Sequence, residues 1–136
     1  MDTLETINLF IKNFVAKDKQ DRTDVELKNE KKRRQFANRL NHNWHEVLDM
    51  RYITRITDST DDFEFAKREL TIKNKDKCYL ISTYDNLDDQ VMEFKEAFDK
   101  SYGRGFATLI MCLTGNKLFL ETEIGFGRQN RFIGKR

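Results

Sequence analysis

From Phe106 to Ile124 the chain reads FATLIMCLTGNKLFLETEI, a pattern typical of two strands joined by a tight turn. The first part, up to Leu113, is apolar at almost every position, which favours a central strand buried on both faces. Thr114 to Lys117 supply turn chemistry around a glycine. Beyond the turn, apolar and polar residues alternate, which predicts a strand with two unlike faces. A β-hairpin is therefore expected here.

The front half of the chain is predicted to be helical. Apolar residues recur at helical spacing over 4–15 and again over most of 24–48. Thr23 and Glu26 fit a capping box, in which each side chain satisfies a backbone N–H of the other, and this box is predicted to start the second helix. A break in that helix is expected at 41–43.

Beyond residue 49 the pattern changes to short strands and helices. Strands are predicted over 51–56 and 78–83 and around Phe132, because these stretches are rich in β-branched, aromatic and other apolar residues. Helices are predicted over 63–70 and 85–101, where apolar residues return to helical spacing. The predicted order of elements is therefore two helices, a strand, a short helix, a strand, a helix, the hairpin and a last strand.

That order predicts an α+β fold. Two N-terminal helices are followed by a mixed sheet of four to five strands, with one or two further helices and a C-terminal β-hairpin. The segment 78–113 is expected to form a right-handed parallel βαβ crossover, and the helices are expected to cover one face of the sheet. A length of 136 residues suits one domain over 1–136, with a helical part over 1–48 and a sheet part over 49–136.

Composition limits the classes of function. Lys and Arg number 25 against 23 Asp and Glu, so no overall field steers the chain to nucleic acid or to an anionic membrane. An aromatic content of 12% argues against disorder. No apolar run approaches the ~20 residues that span a bilayer, and the N-terminal sequence lacks a signal-peptide pattern. We expect a cytoplasmic protein without a membrane partner, in which Cys78 and Cys112 are buried and reduced.

Two basic segments are candidates for binding nucleic acid or another anion. Residues 31–39 carry five cations and no acid, and residues 124–136 carry four cations and no acid. A cationic helix binds phosphate backbones without reading sequence, and arginines suit bidentate binding of anions. The alternatives are a solvated helix face paired with Glu26, Glu30 or the acidic middle of the chain, and a structural glycine turn. The residues assigned to anion binding are Lys31, Lys32, Arg33, Arg34, Arg39, Arg128 and Arg131.

Glu121 and Glu123 are candidates for a metal site or for acid–base chemistry. A spacing of two on a strand points both carboxylates to the same face, where they could ligate a hard cation. The same alternation also predicts a solvent-facing stripe, with Arg128 and Arg131 opposite as ion-pair partners. The second interpretation is favoured, and no metal or other cofactor is expected.

His42, His45 and Asp49 have a spacing that can place them on one helical face, as in half of a metal site. No second cluster of ligands accompanies them in the sequence, which favours histidines that make hydrogen bonds at a helix end. The serines lie in no nucleophile elbow. A binding module is therefore favoured over an enzyme, while enzymatic activity stays open.

A resemblance adds to this picture. The segment CYLIST at 78–83, together with Phe94, Ala97 and Phe98 and the block SYGRGFATLIMCLTGNKLFLETE at 101–123, resembles the ends of small uncharacterised bacterial proteins. Those proteins end in a strand–helix–strand–hairpin block with a glycine turn and an acidic last strand. The resemblance implies a bacterial or phage origin and assigns no functional residue.

These patterns together favour a small intracellular, non-enzymatic interaction module. Such an immunity, antitoxin-like or regulatory protein would bind another protein, and the abundant aromatic residues supply interface anchors. The alternative is a nucleic-acid-binding or processing protein that uses the basic helix 31–39 and the basic C-terminal tail. A third hypothesis is an enzyme that uses Glu121, Glu123 and an arginine on a phosphorylated substrate.

Overall fold

A computed structural model of the chain describes residues 2–57, 61–123 and 130–136. The strands in these ranges form one sheet of six, in the order β1-β6-β5-β4-β2-β3, and every pair of neighbours is antiparallel. The predicted α+β class is confirmed, with more strands than expected. The helices are α1 (Thr3–Phe14), α2 (Gln20–Leu27), α3 (Arg33–His42), α4 (Trp44–Val47), α5 (Asp62–Leu70) and α6 (Phe94–Ser101), and the strands are β1 (Ile53–Arg55), β2 (Lys77–Ser82), β3 (Val91–Glu93), β4 (Thr108–Cys112), β5 (Lys117–Glu121) and β6 (Arg131–Lys135).

Helices α1 and α5 lie where the sequence predicts helices. The side chain of Asp2 accepts a hydrogen bond from the Glu5 backbone N–H, and that of Asp61 accepts one from Glu64, so both helices have an N-cap carboxylate. α5 ends at Leu70, and the next residue, Thr71, caps it with a left-handed backbone at a φ of 53°. No helix in the described part of the chain is long and apolar enough to cross a membrane.

The predicted capping box of Thr23 and Glu26 is wrong, because the helix begins before it. α2 starts at Gln20, and Thr23 lies inside the helix with its hydroxyl donating to the carbonyl oxygen of Lys19 at 2.8 Å. Glu26 is buried and its carboxylate binds the guanidinium of Arg39. Glu26 therefore binds a side chain of another helix, Arg39, instead of the backbone N–H of Thr23.

The single long pattern over 24–48 corresponds to α2, α3 and α4. The chain leaves α2 at a turn in which the Asn29 side chain accepts a hydrogen bond from the Lys31 backbone N–H. α3 ends at His42, so the break expected over 41–43 is confirmed. Side-chain capping at Asn29 thus interrupts a pattern that is otherwise continuous.

The predicted parallel crossover over 78–113 is wrong. β2 and β4 are antiparallel neighbours, and the predicted helix over 85–101 is instead a turn, strand β3 and the shorter helix α6. Asp89 has a φ of 64°, a left-handed conformation that folds β3 back onto β2. α6 does connect two strands that run in the same direction, β3 and β4, but β2 lies between them. The sheet is therefore antiparallel at every pairing rather than mixed.

Helices cover both faces of the sheet, not one as expected. Helices α1 to α4 pack on the face that carries Tyr79, Leu109 and Leu118. Helices α5 and α6 pack on the face that carries Leu80 and Phe119. Because β2 and β4 are buried on both faces, their near-continuous apolar sequence needs cover from both sides.

The two ends of the sheet are built from different segments. The end that we name the loop end carries Ser82, Glu121 and Arg131, together with the turn 83–90 and the loop 102–107. The opposite end, named the hairpin end, carries the predicted turn between β4 and β5, which is confirmed. In that turn the Gly115 backbone N–H donates to the carbonyl of Cys112.

Candidate functional site

The structure divides the predicted basic segment 31–39 into exposed lysines and arginines that are paired with carboxylates. Lys31 and Lys32 are exposed in the turn that precedes α3. The three arginines lie on α3, and each contacts a carboxylate from another element: Arg33 binds Asp88, Arg34 binds Asp85 and Arg39 binds Glu26. This pairing, with Glu26 and with the acidic middle of the chain, is the alternative to anion binding that the sequence leaves open.

Arg33 forms the most enclosed of these pairs. Its Nε and Nη2 atoms donate to both carboxylate oxygens of Asp88, at 2.8 and 2.9 Å, and Nη1 donates to the carbonyl of Leu27 at 3.0 Å. Only 6% of the residue is exposed. Burial alone would lower the pKa of Arg33, but the hydrogen bond to Asp88 and the nearby charges raise it above its ordinary value. The pair is a permanent ionic tie between α3 and the turn 83–90.

This tie continues into the turn itself. Asp88 Oδ1 also accepts a hydrogen bond from the Ser82 backbone N–H at 3.0 Å, and Ser82 Oγ accepts one from the Tyr84 backbone N–H at 3.1 Å. The backbone N–H groups of Leu87 and Asp88 donate to the carbonyl of Tyr84, both at 3.0 Å. The turn is therefore closed on itself and bonded to the sheet, and it holds Tyr84 in place.

Tyr84 and Phe106 form an aromatic pair at the loop end. Their ring centroids are 4.8 Å apart, and Tyr84 is 43% exposed. The segments that carry them are joined by two hydrogen bonds: Thr83 N–H donates to the Ala107 carbonyl, and Ala107 N–H donates to the Thr83 hydroxyl. The Asn86 amide donates to the Tyr84 hydroxyl. Tyr84 is thus presented to solvent, and Phe106 lies partly buried beneath it, on backbone that these bonds hold in position.

The Arg34–Asp85 ion pair lies beside Tyr84. Its atoms Nη2 and Oδ1 are 2.6 Å apart, and the two side chains are 58% and 81% exposed. We name Tyr84, Phe106, Arg34 and Asp85 the aromatic loop surface. The sequence interpretation missed both aromatic residues, although an aromatic residue directly before the turn-forming Asp85 and Asn86 is a signal of surface exposure.

Glu121 belongs to a buried ionic cluster. It lies opposite Arg131 in the register of β5 and β6, and its Oε2 accepts a hydrogen bond from Arg131 Nε at 2.6 Å. Its Oε1 accepts one from the Gly103 backbone N–H at 2.8 Å. Arg131 also approaches Asp62 to 3.4 Å and lies over the ring of Tyr102, whose hydroxyl donates to Asp62. We name these side chains the Glu121 cluster.

The expected partnership of Glu121 with Arg131 is confirmed, but the expected solvent-facing stripe is wrong for Glu121. Its face of the sheet is covered by α5 and α6, so burial raises the pKa of Glu121, while the hydrogen bond from Arg131 lowers it in part. The two glutamates do not share a strand face, because β5 ends at Glu121. Glu123 is exposed beyond it, and its backbone N–H donates to the side chain of Asn41.

The histidine spacing forms no metal site. α3 ends at His42 and His45 lies on α4, so the three residues do not continue along one helix. Asp49 is bound by the guanidinium of Arg51, whose hydrogen bond holds the pKa of Asp49 below its ordinary value. No group of three or more His, Cys, Asp or Glu that could hold a metal occurs among the described residues. Arg128 lies in 124–129, outside them.

A second basic surface lies at the hairpin end, and two of its cations, Lys135 and Arg136, come from the basic tail 124–136. Lys117 and Lys135 are directly opposite each other on β5 and β6, and their Nζ atoms donate to the carbonyls of Thr71 and Glu69 at the end of α5. Six cations at this end form no ion pair with a carboxylate within the described part of the chain, although Asp76 and Glu93 lie beside them. We name them the lysine patch: Lys73, Lys75, Lys77, Lys117, Lys135 and Arg136.

Comparison with known proteins assigns no family to this arrangement. No protein-family model, no curated protein and no solved structure matches the chain. The aromatic loop surface, the Glu121 cluster and the lysine patch therefore differ only by their own chemistry. The side chains of the Glu121 cluster bond to one another, whereas the other two surfaces present side chains to solvent.

Proposed function

We propose that the chain is a non-enzymatic interaction module that binds another protein, as an immunity, antitoxin-like or regulatory protein does. The observation that carries this proposal is the exposed ring of Tyr84, which is held on a turn bonded to the sheet and packs against the partly buried Phe106. Tyrosine and arginine, together with tryptophan, are the residue types enriched among those that dominate binding energy at protein interfaces. A surface already held in one conformation also loses less entropy when a partner binds.

The charges around the aromatic pair favour a protein partner over a phosphate backbone. Asp85 is the most exposed charged group of the surface, and Asp89 of the same turn is also exposed. Such carboxylates repel phosphates, whereas a rim that mixes both signs of charge around aromatic residues is typical of protein interfaces. A partner that offers an apolar pocket beside at least one exposed cation fits this surface.

The proposal includes a cytoplasmic location and the absence of enzymatic activity. Both cysteines are buried free thiols, which suits a reducing, cytoplasmic compartment. The carboxylate of Glu121, which an enzyme would need for acid–base chemistry, accepts hydrogen bonds from Arg131 and Gly103 within the chain. These contacts favour a structural role for Glu121 and thereby favour binding over catalysis.

The test is capture of a partner by the tagged chain and by two variants. Tyr84→Ala removes the exposed ring, and Val25→Ala removes an exposed apolar side chain of α2 that lies outside the aromatic loop surface. We expect Tyr84→Ala to weaken the affinity for a stoichiometric partner at least about thirtyfold, the value for a loss of about 2 kcal/mol, and Val25→Ala to leave it unchanged. Equal affinity of both variants would contradict the proposal, provided that thermal melts show both are folded.

Nucleic-acid binding is a second candidate function, and the lysine patch is the observation that favours it. The six cations lie at the hairpin end: two are in the turn after α5, one each is on β2, β5 and β6, and the sixth is Arg136. Phosphate backbones are attracted by such surfaces without any reading of sequence. In the basic segment 31–39, Lys31 and Lys32 are exposed and could also contact phosphates, whereas the arginines are bound to carboxylates.

A salt-dependent titration with duplex DNA, single-stranded DNA and RNA tests this second function. Binding that weakens with salt at a slope of roughly four or more phosphates would support it, and its absence at about 10⁻⁴ M protein would exclude it. The double variants Lys117→Gln/Lys135→Gln and Lys31→Gln/Lys32→Gln remove the same charge at different places. The variant that lowers the slope then identifies which basic surface contacts the phosphates.

A further inference from the structure

Cys78 and Cys112 are direct neighbours in the sheet. They lie opposite each other on β2 and β4, and both side chains point to the face covered by α5 and α6. Cys78 is fully buried, and 8% of Cys112 is exposed near the hairpin end. Their separation of 34 positions in the sequence (112 − 78) conceals this contact, which depends on the antiparallel pairing of β2 with β4.

The register places the two residues where a disulfide is geometrically accessible. The Leu113 N–H donates to the Lys77 carbonyl, and at the other end the Thr83 N–H donates to the Ala107 carbonyl. Hydrogen-bonded pairs alternate along an antiparallel ladder, so Cys78 and Cys112 occupy a position that is not hydrogen-bonded, where Cα atoms are about 4.5 Å apart. Disulfides join Cα atoms that are roughly 4.4–6.8 Å apart.

The surroundings give the two thiols different roles. The Cys78 thiol donates to the Asp76 carbonyl at 3.6 Å, and the neighbouring Cys112 and burial both raise the pKa of Cys78. The neighbouring Cys78 lowers the pKa of Cys112, against the opposing effect of burial. The ammonium of Lys117 also lowers the pKa of Cys112. Cys112 is thus the more accessible thiol and has the Lys117 ammonium near it, which are the properties of a sulfur that attacks an oxidant.

We propose that Cys112 and Cys78 form a thiol-oxidation site, at which a peroxide converts the pair into a cross-strand disulfide. In the first step the Cys112 sulfur attacks a peroxide oxygen, the O–O bond breaks, and the released hydroxide takes up a proton to leave as water. In the second step the Cys78 sulfur attacks the resulting sulfenic acid, the S–O bond breaks and a second water leaves. The two thiols lose two electrons and two protons, and one hydrogen peroxide becomes two water molecules.

This site is independent of the proposed protein-binding function. The disulfide would join two central strands at the hairpin end, while the aromatic loop surface lies at the loop end. A small-molecule thiol reverses it by exchange, so the modification is reversible. Failure of partner capture and failure of disulfide formation would therefore be separate results.

The experiment treats the folded chain with hydrogen peroxide and measures its intact mass. We expect the loss of two hydrogens, with no dimer, and protection of both cysteines from alkylation after denaturation. A peptide map should show the Cys78–Cys112 link, and a thiol reductant should restore both alkylation sites. Full alkylation of both cysteines after peroxide treatment, or a link between two chains instead, would overturn the proposal.

Two variants separate the roles of the sulfurs. Cys78→Ser should leave Cys112 as a sulfenic acid that a dimedone probe labels, because the second thiol is missing. Cys112→Ser should leave Cys78 unlabelled, because the remaining thiol is fully buried. Equal labelling of the two variants would overturn the assignment of Cys112 as the attacking sulfur. The mass measurement on the unchanged chain decides the proposal even if a variant does not fold.

Discussion

At the loop end of the sheet, Arg33 and Arg131 bind carboxylates and are largely withdrawn from water, whereas at the hairpin end lysines keep their charge at the surface. Arg33 is paired bidentately with Asp88, and Arg131 is paired with Glu121. Lys117 and Lys135 instead donate to main-chain carbonyls. The planar guanidinium suits buried, bidentate pairing, and the strongly hydrated ammonium does not. Cations of the same formal charge thus stabilise one end and stay available to a partner at the other.

The largest effect is expected for Arg33→Met at the loop end. The substitution leaves the mostly buried carboxylate of Asp88 without its bidentate partner, and the free energy of unfolding should fall by about 3–5 kcal/mol. Urea denaturation at neutral pH measures the loss. Arg34→Met, one position along the same helix, is the control and should change stability by less than about 1 kcal/mol because its ion pair is exposed. Similar losses in both variants would remove the distinction between tied and exposed arginines.

Gly115→Ala tests whether the stability of the hairpin end depends on the close contact between the Gly115 backbone and α1. Gly115 has a φ of 70°, and a Cβ there would collide with the Cβ of Leu9 in α1. Strain and overpacking together should lower the free energy of unfolding by about 2–5 kcal/mol.

The matched control is Gly105→Ala at the loop end. Gly105 also has a positive φ, of 87°, but an added Cβ would meet no atom within 4 Å in the described structure. We expect a smaller loss, confined to backbone strain of about 1–3 kcal/mol. A loss at Gly105 as large as that at Gly115 in thermal or urea unfolding would show that the contact with Leu9 is unimportant.

Tyr102→Phe probes the Glu121 cluster through the pH dependence of stability. Burial and the hydrogen bond to Asp62 raise the pKa of Tyr102 from its ordinary value of 10 to about 12. Since the folded state holds this proton more tightly than the unfolded state, the stabilisation is complete below pH 10 and is lost as the pH rises toward 12. Between about pH 9 and pH 11 the chain should therefore lose about 1 kcal/mol more stability than the variant does.

Tyr79, whose pKa burial also raises, stays in both proteins, so the difference between their urea midpoints isolates Tyr102. Parallel pH profiles for the two proteins would show that the Tyr102 hydroxyl does not keep its proton in the folded state. Absorbance of the phenolate in the folded chain gives an independent measure of the same pKa.

The smallest effect is expected for Lys117→Gln at the hairpin end. Its ammonium stabilises the carboxyl end of α5, but it also lies opposite the like charge of Lys135, and the two contributions partly cancel. The free energy of unfolding should change by less than about 0.5 kcal/mol in urea melts. A loss above about 2 kcal/mol would make this lysine structural and remove it from the surface that is available to a partner.

Local patterns account for the elements that were predicted correctly. The helix over 63–70 and the turn around Gly115 are determined by residues close together in the sequence, because apolar spacing and turn chemistry act over a few positions. The prediction of one helix over 85–101 was wrong because the backbone breaks that local pattern. Its apolar spacing is real, but the left-handed backbone at Asp89 lets three residues pair with β2 before the helix begins.

The sequence alone determined the α+β class, the burial of the two cysteines and the hairpin, since each follows from nearby residues. Tertiary packing alone settled the strand directions, the cover on both faces and the contact between Cys78 and Cys112, because these depend on residues far apart in the chain. Arg33 and Arg34 show the reason most simply. They are adjacent and chemically identical, yet a helix turns by about 100° per residue, so the turn 83–90 buries one beside Asp88 and leaves the other in water.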